Sequence, residues 1–277
     1  MVDKIACLVK IVPDVENFTY DYKKNILVRE NQKSIINPDD ACAVAAALEM
    51  KRQAGCHVTV FTMGPRSAGK YLEDLLRRGV DSAVLITDPF YRGSDTYVTA
   101  KILSRALGRE NYKLVLTGTR SLDGDTAHIP SQVAEFLQMP VLTHVTKIGV
   151  PARDGAVDQT ESQGTVGREI WAEVQEEEEK LEFLAELPAV LGICSESGYK
   201  LPFVRYDDRK KDVSDRLSVL SNQELGFDPG ETGLEGSRTK VIRTYPKKME
   251  NREKKIVQND EQGITYVYEY LKEKGFL

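Results

Sequence analysis

Short apolar runs alternate with helix-like segments through the first half of the chain. Ile5 to Val12 is a short apolar run, which is typical of a strand buried on both faces. Pro38 to Ala54 has the signals of a helix, because Asn37 stands at the N-cap and Gly55 follows the last turn. This alternation predicts an α/β fold, in which a doubly wound, mostly parallel sheet carries helices on both faces.

The remaining predicted elements follow the same order. Further strands are predicted over residues 57–62, 83–87, 114–117 and 141–145, and further helices over 67–78, 95–107 and 126–138. A β-hairpin between 18–20 and 26–28 is predicted before the first helix, and two strands over 166–174 and 181–184 are joined by an acidic turn at 176–179. We expect these elements to form an α/β domain over residues 1–192.

Beyond residue 192 the alternation of strands and helices stops. Residues 207–216 are highly charged, 227–230 form a turn signal, and only 260–274 regain helical spacing. A segment of this length without its own core needs a surface to lie on. We therefore expect residues 193–277 to form a C-terminal arm that ends in a helix and wraps its own domain or a partner subunit.

Composition and charge narrow the class of protein. The chain of 277 residues has 38 Lys and Arg against 43 Asp and Glu, so it lacks the broad positive field of nucleic-acid-binding proteins. No apolar run approaches the length of a transmembrane helix, and the N-terminus resembles neither a signal peptide nor a transit peptide. The 4 cysteines stand far apart without a Cys-x-x-Cys pair, which argues against zinc and iron–sulfur sites. We expect a cytoplasmic protein with reduced thiols.

Ligands of open parallel sheets bind beyond the carboxyl ends of the strands. Four segments are predicted to emerge at that edge, at residues 8–14, 37–40, 63–65 and 117–132. The last is the most informative, because it contains Gly124 and leads into a helix whose N–H groups can hold a phosphate. Thr126, Ser131 and Gln132 can donate to phosphate or ribose oxygens. Asp-Gly-Asp-Thr at 123–126 is also the pattern of an ordinary turn and N-cap, so the residues alone leave both interpretations open.

The usual motifs of dinucleotide binding and hydrolysis are missing from the sequence. No Gly-x-Gly-x-x-Gly follows the first strand, and neither Gly-x-x-x-x-Gly-Lys-Ser/Thr nor Gly-x-Ser-x-Gly occurs. His57 and His144 are interpreted as structural, while His128 is equally well a bystander or part of a pocket wall. Hydrolytic catalysis therefore has no support in the sequence.

Several separated motifs nevertheless occur in an order that resembles one known family. The motifs are Leu8 to Asp14, Asn37 to Ala41, Gly64-Pro65, Asp123 to Ala127, Gly167 to Ile170, Leu187 to Val190 and Gly233 to Val241. Each is weak alone, but together they span nearly the whole chain and resemble those of the electron-transfer flavoprotein β subunits. Two departures stand out: His128-Ile129-Pro130-Ser131 replaces the usual Gln-Val-Gly-Pro, and Arg238 replaces a proline.

The resemblance implies a partner and a function. Such a β subunit pairs with a homologous α subunit, reaches onto it with its C-terminal arm, and carries electrons to or from an acyl-CoA-type or other flavin dehydrogenase. Simple members hold AMP in the β subunit, whereas electron-bifurcating members hold FAD there and oxidise NADH. The Asp-Gly-Asp-Thr-Ala loop resembles the FAD-holding group more, so FAD is expected here. AMP alone, in a non-bifurcating subunit, is one alternative, and a stand-alone adenine-nucleotide-binding module is another.

The resemblance also implies which residues hold the nucleotide, and none of them is expected to be catalytic. Leu8, Val9 and Lys10 would line the adenine pocket through backbone groups. Asn37 and Asp40 would contact adenosine or order the loop, and Met63 would pack on the adenine ring. The ribose and phosphates would be held by the segment from Asp123 to Gln132, in particular by Asp123, Gly124, Asp125, Thr126, Ala127, His128, Ser131 and Gln132. The flavin itself would supply the redox chemistry.

Overall fold

The computed structural model describes residues 2–14, 19–21, 26–28, 33–149, 169–240 and 255–277. They belong to two compact units, Met1–Lys240 and Val241–Leu277. The strands are β1 (Lys4–Leu8), β2 (Ile11–Pro13), β3 (Thr19–Asp21), β4 (Ile26–Val28), β5 (Ser34–Ile36), β6 (His57–Met63), β7 (Ser82–Ile86), β8 (Leu114–Gly118), β9 (Val141–Gly149), β10 (Glu169–Glu176), β11 (Glu179–Glu186), β12 (Ala189–Ile193) and β13 (Leu217–Leu220). The helices are α1 (Pro38–Ala54), α2 (Gly69–Arg77), α3 (Thr96–Leu107), α4 (Ile129–Leu137), α5 (Asn222–Leu225), α6 (Gly233–Gly236) and α7 (Glu261–Glu273).

The main sheet of the first unit has nine strands in the order β11-β10-β9-β12-β8-β1-β6-β7-β13. Every neighbouring pair from β9 to β13 is parallel, while β10 runs antiparallel to both β9 and β11. The chain extends the sheet first from β1 toward β7 and then in the other direction, through β8. The predicted doubly wound, mostly parallel sheet is therefore confirmed.

Both faces of the sheet are buried, as the apolar strand sequences predict. In β1, Ile5 and Cys7 belong to the core on one face, and Ala6 and Leu8 to the core on the other. Helices α1 and α2 pack on the strands in the first core, and α3 and α4 pack on them in the second. All four cysteines are buried and free. Within the described ranges, no helix is long and apolar enough to cross a membrane.

Two predicted elements have different boundaries in the structure. The expected strand from Ile5 to Val12 is two strands, because the chain leaves the main sheet after Leu8 and pairs again as β2 with β5. The helix expected over 126–138 begins only at Ile129. Asp125 and Ala127 have positive φ angles of 48° and 53°, which a right-handed helix does not allow.

Other predictions agree closely with the structure. The β3–β4 and β10–β11 pairs form as expected, and α7 lies within the predicted 260–274 segment. Gly55 ends α1 in the left-handed conformation. The start of the predicted 166–174 strand, including Gly167 and Arg168 of the family motif, lies outside the described residues.

The sheet contains two strands that the sequence did not predict. β12 is fully buried between β8 and β9, and β13 pairs with β7 at the sheet edge. β13 belongs to the segment expected to form the C-terminal arm, so residues 217–220 of that segment lie on the chain's own sheet. The division of the chain at residue 192 into a domain and an arm stays a prediction.

The contact between β8 and α1 gives a stability prediction. A methyl group at Gly118 would overlap Asp40 Oδ1 and lie 2.7 Å from Asp39 Cβ and 2.8 Å from the Asp40 backbone nitrogen. Gly118→Ala is therefore expected to lower the free energy of unfolding by about 1–3 kcal/mol or more, measured by urea denaturation. Gly124→Ala is the matched control, because its methyl group would meet only Ser121 Oγ, at 3.7 Å. Equal stability of the two variants would contradict this account.

Candidate functional site

A cavity of about 450 Å³ opens at the carboxyl ends of β1, β6 and β8. The chain reverses its direction of sheet growth between β1 and β8, so the cavity lies at the topological switch point where ligands of such sheets bind. It is lined by the ends of β1, β6 and β8, by the first turn of α1, by α3, and by the loops that lead into α3 and α4. The lining residues include Leu8, Val9, Lys10, Asn37, Asp40, Met63, Tyr91, Gly93, Ser94, Asp95, Thr96, Thr99, Leu103, Thr119, Ser121, Gly124, Thr126, Ala127 and His128.

The first turn of α1 holds the cavity together by accepting backbone hydrogen bonds from distant segments. Asp40 is 7% exposed and accepts from the N–H groups of Lys10 (2.7 Å) and Gly118 (2.8 Å). Asp39 is 6% exposed and accepts from Arg120 (3.2 Å) and Ser195 (3.1 Å). Two adjacent carboxylates therefore fix the chain just beyond β1, β8 and β12.

Asn37 occupies the N-cap position of α1 but does not cap it with its side chain. Its amide nitrogen donates to the Arg120 carbonyl at 2.8 Å, and its carbonyl oxygen accepts from the Leu122 N–H at 2.9 Å. The side chain thus holds the loop between β8 and α4 (residues 119–128, the β8–α4 loop) against the end of α1. Of the two roles expected for Asn37 and Asp40, the contacts of Asn37 are those of ordering the loop, whereas Asp40 binds the N–H groups of Lys10 and Gly118 beside it.

Burial changes the ionisation of both aspartates. It raises the pKa of Asp40 to about 7, and the hydrogen bonds from Lys10 and Gly118, which favour the ionised form, oppose it only in part. The pKa of Asp39 is also raised, again chiefly by burial and against the hydrogen bonds from Arg120 and Ser195. Asp40 therefore changes charge near neutral pH while it holds β1 and β8 in place.

The β8–α4 loop presents unpaired backbone donors to the cavity. Ala127 has a positive φ of 53° and the following His128 has right-handed backbone angles, an alternation that turns successive N–H groups toward one point. Among the described residues, the N–H groups of Thr126, Ala127, His128 and Ile129 have no acceptor. These groups also lie at the N-terminus of the nine-residue helix α4. The arrangement suits an anion such as a phosphate.

A surface ion pair borders the same loop. Lys10 Nζ lies 2.6 Å from Asp123 Oδ1 and 3.3 Å from Ser121 Oγ. Burial alone would raise the pKa of Asp123, but its hydrogen bonds with Lys10, Ser121 and Gly124 outweigh that effect and lower it. Because both side chains are partly exposed, the pair orients Lys10 at the cavity more than it stabilises the fold.

Ten of the fourteen predicted site residues line the cavity. They are Leu8, Val9, Lys10, Asn37, Asp40, Met63, Gly124, Thr126, Ala127 and His128. Asp123 lies beside the cavity through its ion pair with Lys10, and Asp125 is exposed. Ser131 and Gln132 lie within α4 rather than along the lining, and Gln132 Oε1 is buried without a partner among the described residues.

Sequence reasoning missed one whole wall of the cavity. Tyr91, Gly93, Ser94, Asp95 and Thr96 precede or begin α3, and Thr99 and Leu103 follow on that helix. The sequence could have predicted this wall, because the segment after β7 leaves the same edge of the parallel sheet as the other site segments. Asp39 was also missed, since a helix-start carboxylate looks the same in sequence whether or not a distant loop donates to it.

Comparison with known proteins identifies the family to which this fold belongs. The family model for the electron transfer flavoprotein domain matches residues 24–185. The chain is 34% identical over 267 residues to the electron transfer flavoprotein subunit beta of Thermoanaerobacterium thermosaccharolyticum, covering 96% of this chain and 97% of that protein. It is 32% identical over 276 residues to the subunit of the same name in Clostridium acetobutylicum, covering 99% of each.

A third relative belongs to a reductase complex. The chain is 31% identical over 244 residues, and 87% of each chain, to the caffeyl-CoA reductase-Etf complex subunit CarD of Acetobacterium woodii. The protein therefore belongs to the electron transfer flavoprotein family, as a β subunit.

The buried Asp40 gives a pH-dependent prediction. Asp40→Asn offers one acceptor oxygen to two N–H donors, so it is expected to lower the free energy of unfolding by about 1–3 kcal/mol. In the native protein the pKa of Asp40 is raised from 3.8 to about 7, so its stabilising contribution is complete at low pH and is lost as the pH rises through this range. The effect of Asp40→Asn is therefore expected to be larger at about pH 5 than at about pH 8.

Urea denaturation at the two pH values provides the measurement. Asp207→Asn is the control, because Asp207 is exposed and its replacement should change stability little at either pH. A loss of stability in Asp40→Asn that is the same at both pH values would argue against a buried carboxyl that ionises near neutrality.

Proposed function

We propose that the cavity binds FAD through its AMP moiety, and that this subunit passes electrons between NADH or a dehydrogenase and the flavin of an α subunit by flavin-based electron bifurcation. The observation that carries the proposal is the row of unpaired N–H groups in the β8–α4 loop, next to an apolar cavity wall at the switch point of the sheet. When bound, the flavin would supply the redox chemistry.

The residues of the cavity fit the adenosine half of such a ligand. Leu8, Val9 and Met63 provide an apolar wall, and the methionine thioether suits an aromatic face. The N–H groups of Val9 and Lys10 already donate to Phe61 and Asp40 within the chain. Of the backbone groups expected to line an adenine pocket here, the carbonyl oxygens rather than these two N–H groups would therefore meet the ring, which would also pack on the apolar wall.

The phosphates would meet the β8–α4 loop. The N–H groups of residues 126–129, the Thr126 hydroxyl and the Lys10 ammonium all lie along the cavity, and all are donors. The loop holds Asp125 and Ala127 at positive φ, which costs side-chain-bearing residues energy and is characteristic of ligand-binding turns. Gly124 does not have a positive φ, so its role would be to leave room for the ligand.

The α3 wall supports FAD over AMP alone. AMP accounts for the β1 and β8–α4 sides of the cavity, but Tyr91, Ser94, Thr99 and Leu103 extend the lining beyond them. A longer dinucleotide would use this additional surface. If AMP alone occupies the subunit, the protein would instead be a non-bifurcating member of the family. Coexpression with the α subunit and separate assays of flavin and AMP in each subunit distinguish these two functions.

The partners follow from the family. An α subunit is the implied partner of a β subunit, and the name of the CarD relative places that protein in a complex with an acyl-CoA-type reductase. We propose the same kind of flavin dehydrogenase as a partner of this chain. NADH is proposed as the electron donor because the Asp-Gly-Asp-Thr-Ala loop resembles that of bifurcating members.

Gly124 allows a direct test of the nucleotide site. The valine side chain of Gly124→Val would not collide with neighbouring protein atoms, but it would occupy part of the cavity. The variant is therefore expected to fold and to lose most of the nucleotide from this subunit. The measurement is the flavin and AMP content of the purified heterodimer. Gly230→Val is the control, because Gly230 lies outside the cavity with nothing within 4 Å of its added side chain. Full nucleotide content in Gly124→Val would show that the nucleotide does not bind against the β8–α4 loop.

The C-terminal unit gives a second test, of pairing with the α subunit. On α7, Ile264, Tyr266, Val267, Tyr268 and Tyr270 are between 41% and 61% exposed. Deleting residues 241–277 leaves every strand that the structure describes, so the remaining chain is expected to fold but not to copurify with the α subunit. Circular dichroism checks the fold and affinity copurification checks pairing. Retained pairing would show that the partner binds elsewhere.

A further inference from the structure

The segment Thr232–Thr239 packs against the α3 wall of the cavity, and we call it the latch segment. Its Gly233 has a φ of +59° and approaches the carbonyls of Phe90 and Arg92 so closely that no side chain fits there. Ser237 is 6% exposed, accepts a hydrogen bond from the Asp95 N–H at 2.9 Å, and donates to the Gly233 carbonyl at 2.7 Å. The latch segment is therefore fixed to the turn that precedes α3.

One carboxylate joins the latch segment to α3. Asp95 Oδ1 caps the helix by accepting from the Val98 N–H at 3.0 Å. Asp95 Oδ2 accepts from the N–H groups of Arg238 and Thr239, both at 2.9 Å, and from the Thr239 hydroxyl at 3.0 Å. Three donors of the latch segment thus hold a single oxygen of a residue that lines the cavity.

Arg238 strengthens this attachment through its side chain. Its guanidinium lies 3.8 Å from the ring centroid of Tyr97 and donates to the Tyr97 hydroxyl at 2.9 Å. A proline at this position would have neither the N–H that binds Asp95 nor a cation to place on Tyr97. Arg238 therefore adds two contacts to the first turn of α3.

The first turn of α3 in turn contacts the β8–α4 loop. Thr96 Oγ1 lies 3.4 Å from His128 Nδ1, and both residues line the cavity. Asp95 is next to Thr96 and, like the β8–α4 loop, lines the cavity. Both of its carboxylate oxygens accept hydrogen bonds within the chain, Oδ1 from the Val98 N–H and Oδ2 from the latch segment.

We propose that Asp95 is a positioning residue, which the latch segment holds so that its charge does not oppose a phosphate-bearing nucleotide in the cavity. The inference rests on the proposed nucleotide site. Releasing the latch segment frees the Asp95 carboxylate beside the β8–α4 loop and loosens the first turn of α3. An anionic nucleotide then binds more weakly, whereas a neutral nucleoside is affected much less, because like-charge repulsion acts only on the anion.

The test uses the full-length chain freed of nucleotide and titrated by calorimetry with AMP and with adenosine. Thr239→Val removes one donor to Asp95 at an exposed position, so the fold is expected to persist. The lost hydrogen bond joins Thr239 to Asp95 and not to the ligand, so its full free energy is the upper limit of the effect on binding. The Kd for AMP is expected to rise by up to about tenfold, while the Kd for adenosine changes much less. Thr239→Ser keeps the hydroxyl and is expected to bind AMP as the native chain does.

Arg238→Pro is the second variant, because it removes the N–H donor and the guanidinium together. It is also expected to weaken AMP binding more than adenosine binding. Unchanged AMP affinity in both variants, or equal losses for AMP and adenosine, would overturn the positioning role while leaving the nucleotide site intact. A native chain that binds neither AMP nor FAD would overturn the proposed function, and the latch inference with it.

Discussion

The architecture of the site depends on two adjacent carboxylates at the start of α1. Asp39 and Asp40 accept backbone N–H bonds from Lys10, Gly118, Arg120 and Ser195, which follow or end three different strands. Both lie at the positive end of a seventeen-residue helix, which favours the acceptor charge. Gly118 allows the approach, because any side chain there would collide with them. Without this contact, the carboxyl ends of the strands would have no common anchor.

This anchor divides the polar groups at the carboxyl edge of the sheet into two sets. One set, including the N–H groups of Lys10 and Gly118, is satisfied within the chain and is unavailable to a ligand. The other set, the N–H groups of residues 126–129, has no acceptor among the described residues. Thr126, Ala127 and His128 are exposed and line the cavity, so their N–H groups meet solvent or a ligand rather than the protein. The carboxylate anchor thus leaves donors free only on the loop side of the cavity among the groups named here.

The C-terminal part of the first unit supports one wall of the cavity without lining it. β13 completes the sheet beside β7, and α5 follows it against α3. The latch segment then returns to the turn before α3 and binds Asp95. Residues that are distant in sequence from the β8–α4 loop therefore hold one cavity wall in place.

Local signals in the sequence were sufficient for the regular elements and for much of the site. The Asn37-Pro38 start and Gly55 end defined α1, and the rule that ligands bind at the carboxyl ends of parallel strands placed Lys10, Asn37, Met63 and Thr126 together. These features depend on hydrogen bonds within a segment or on a general property of parallel sheets. Most of the predicted site residues do line one cavity for that reason.

Tertiary structure alone decided the features that depend on distant partners. The break between β1 and β2 exists because β2 pairs with β5, which a continuous apolar run does not reveal. The late start of α4 follows from the positive φ angles of Asp125 and Ala127, residues whose identity does not require them. Asp39 and Asp95 look like ordinary helix-start carboxylates in sequence. In the structure, their carboxylate oxygens accept hydrogen bonds from N–H groups in distant parts of the chain. Sequence determines what each segment can form, but which donors reach which acceptors depends on how the segments pack.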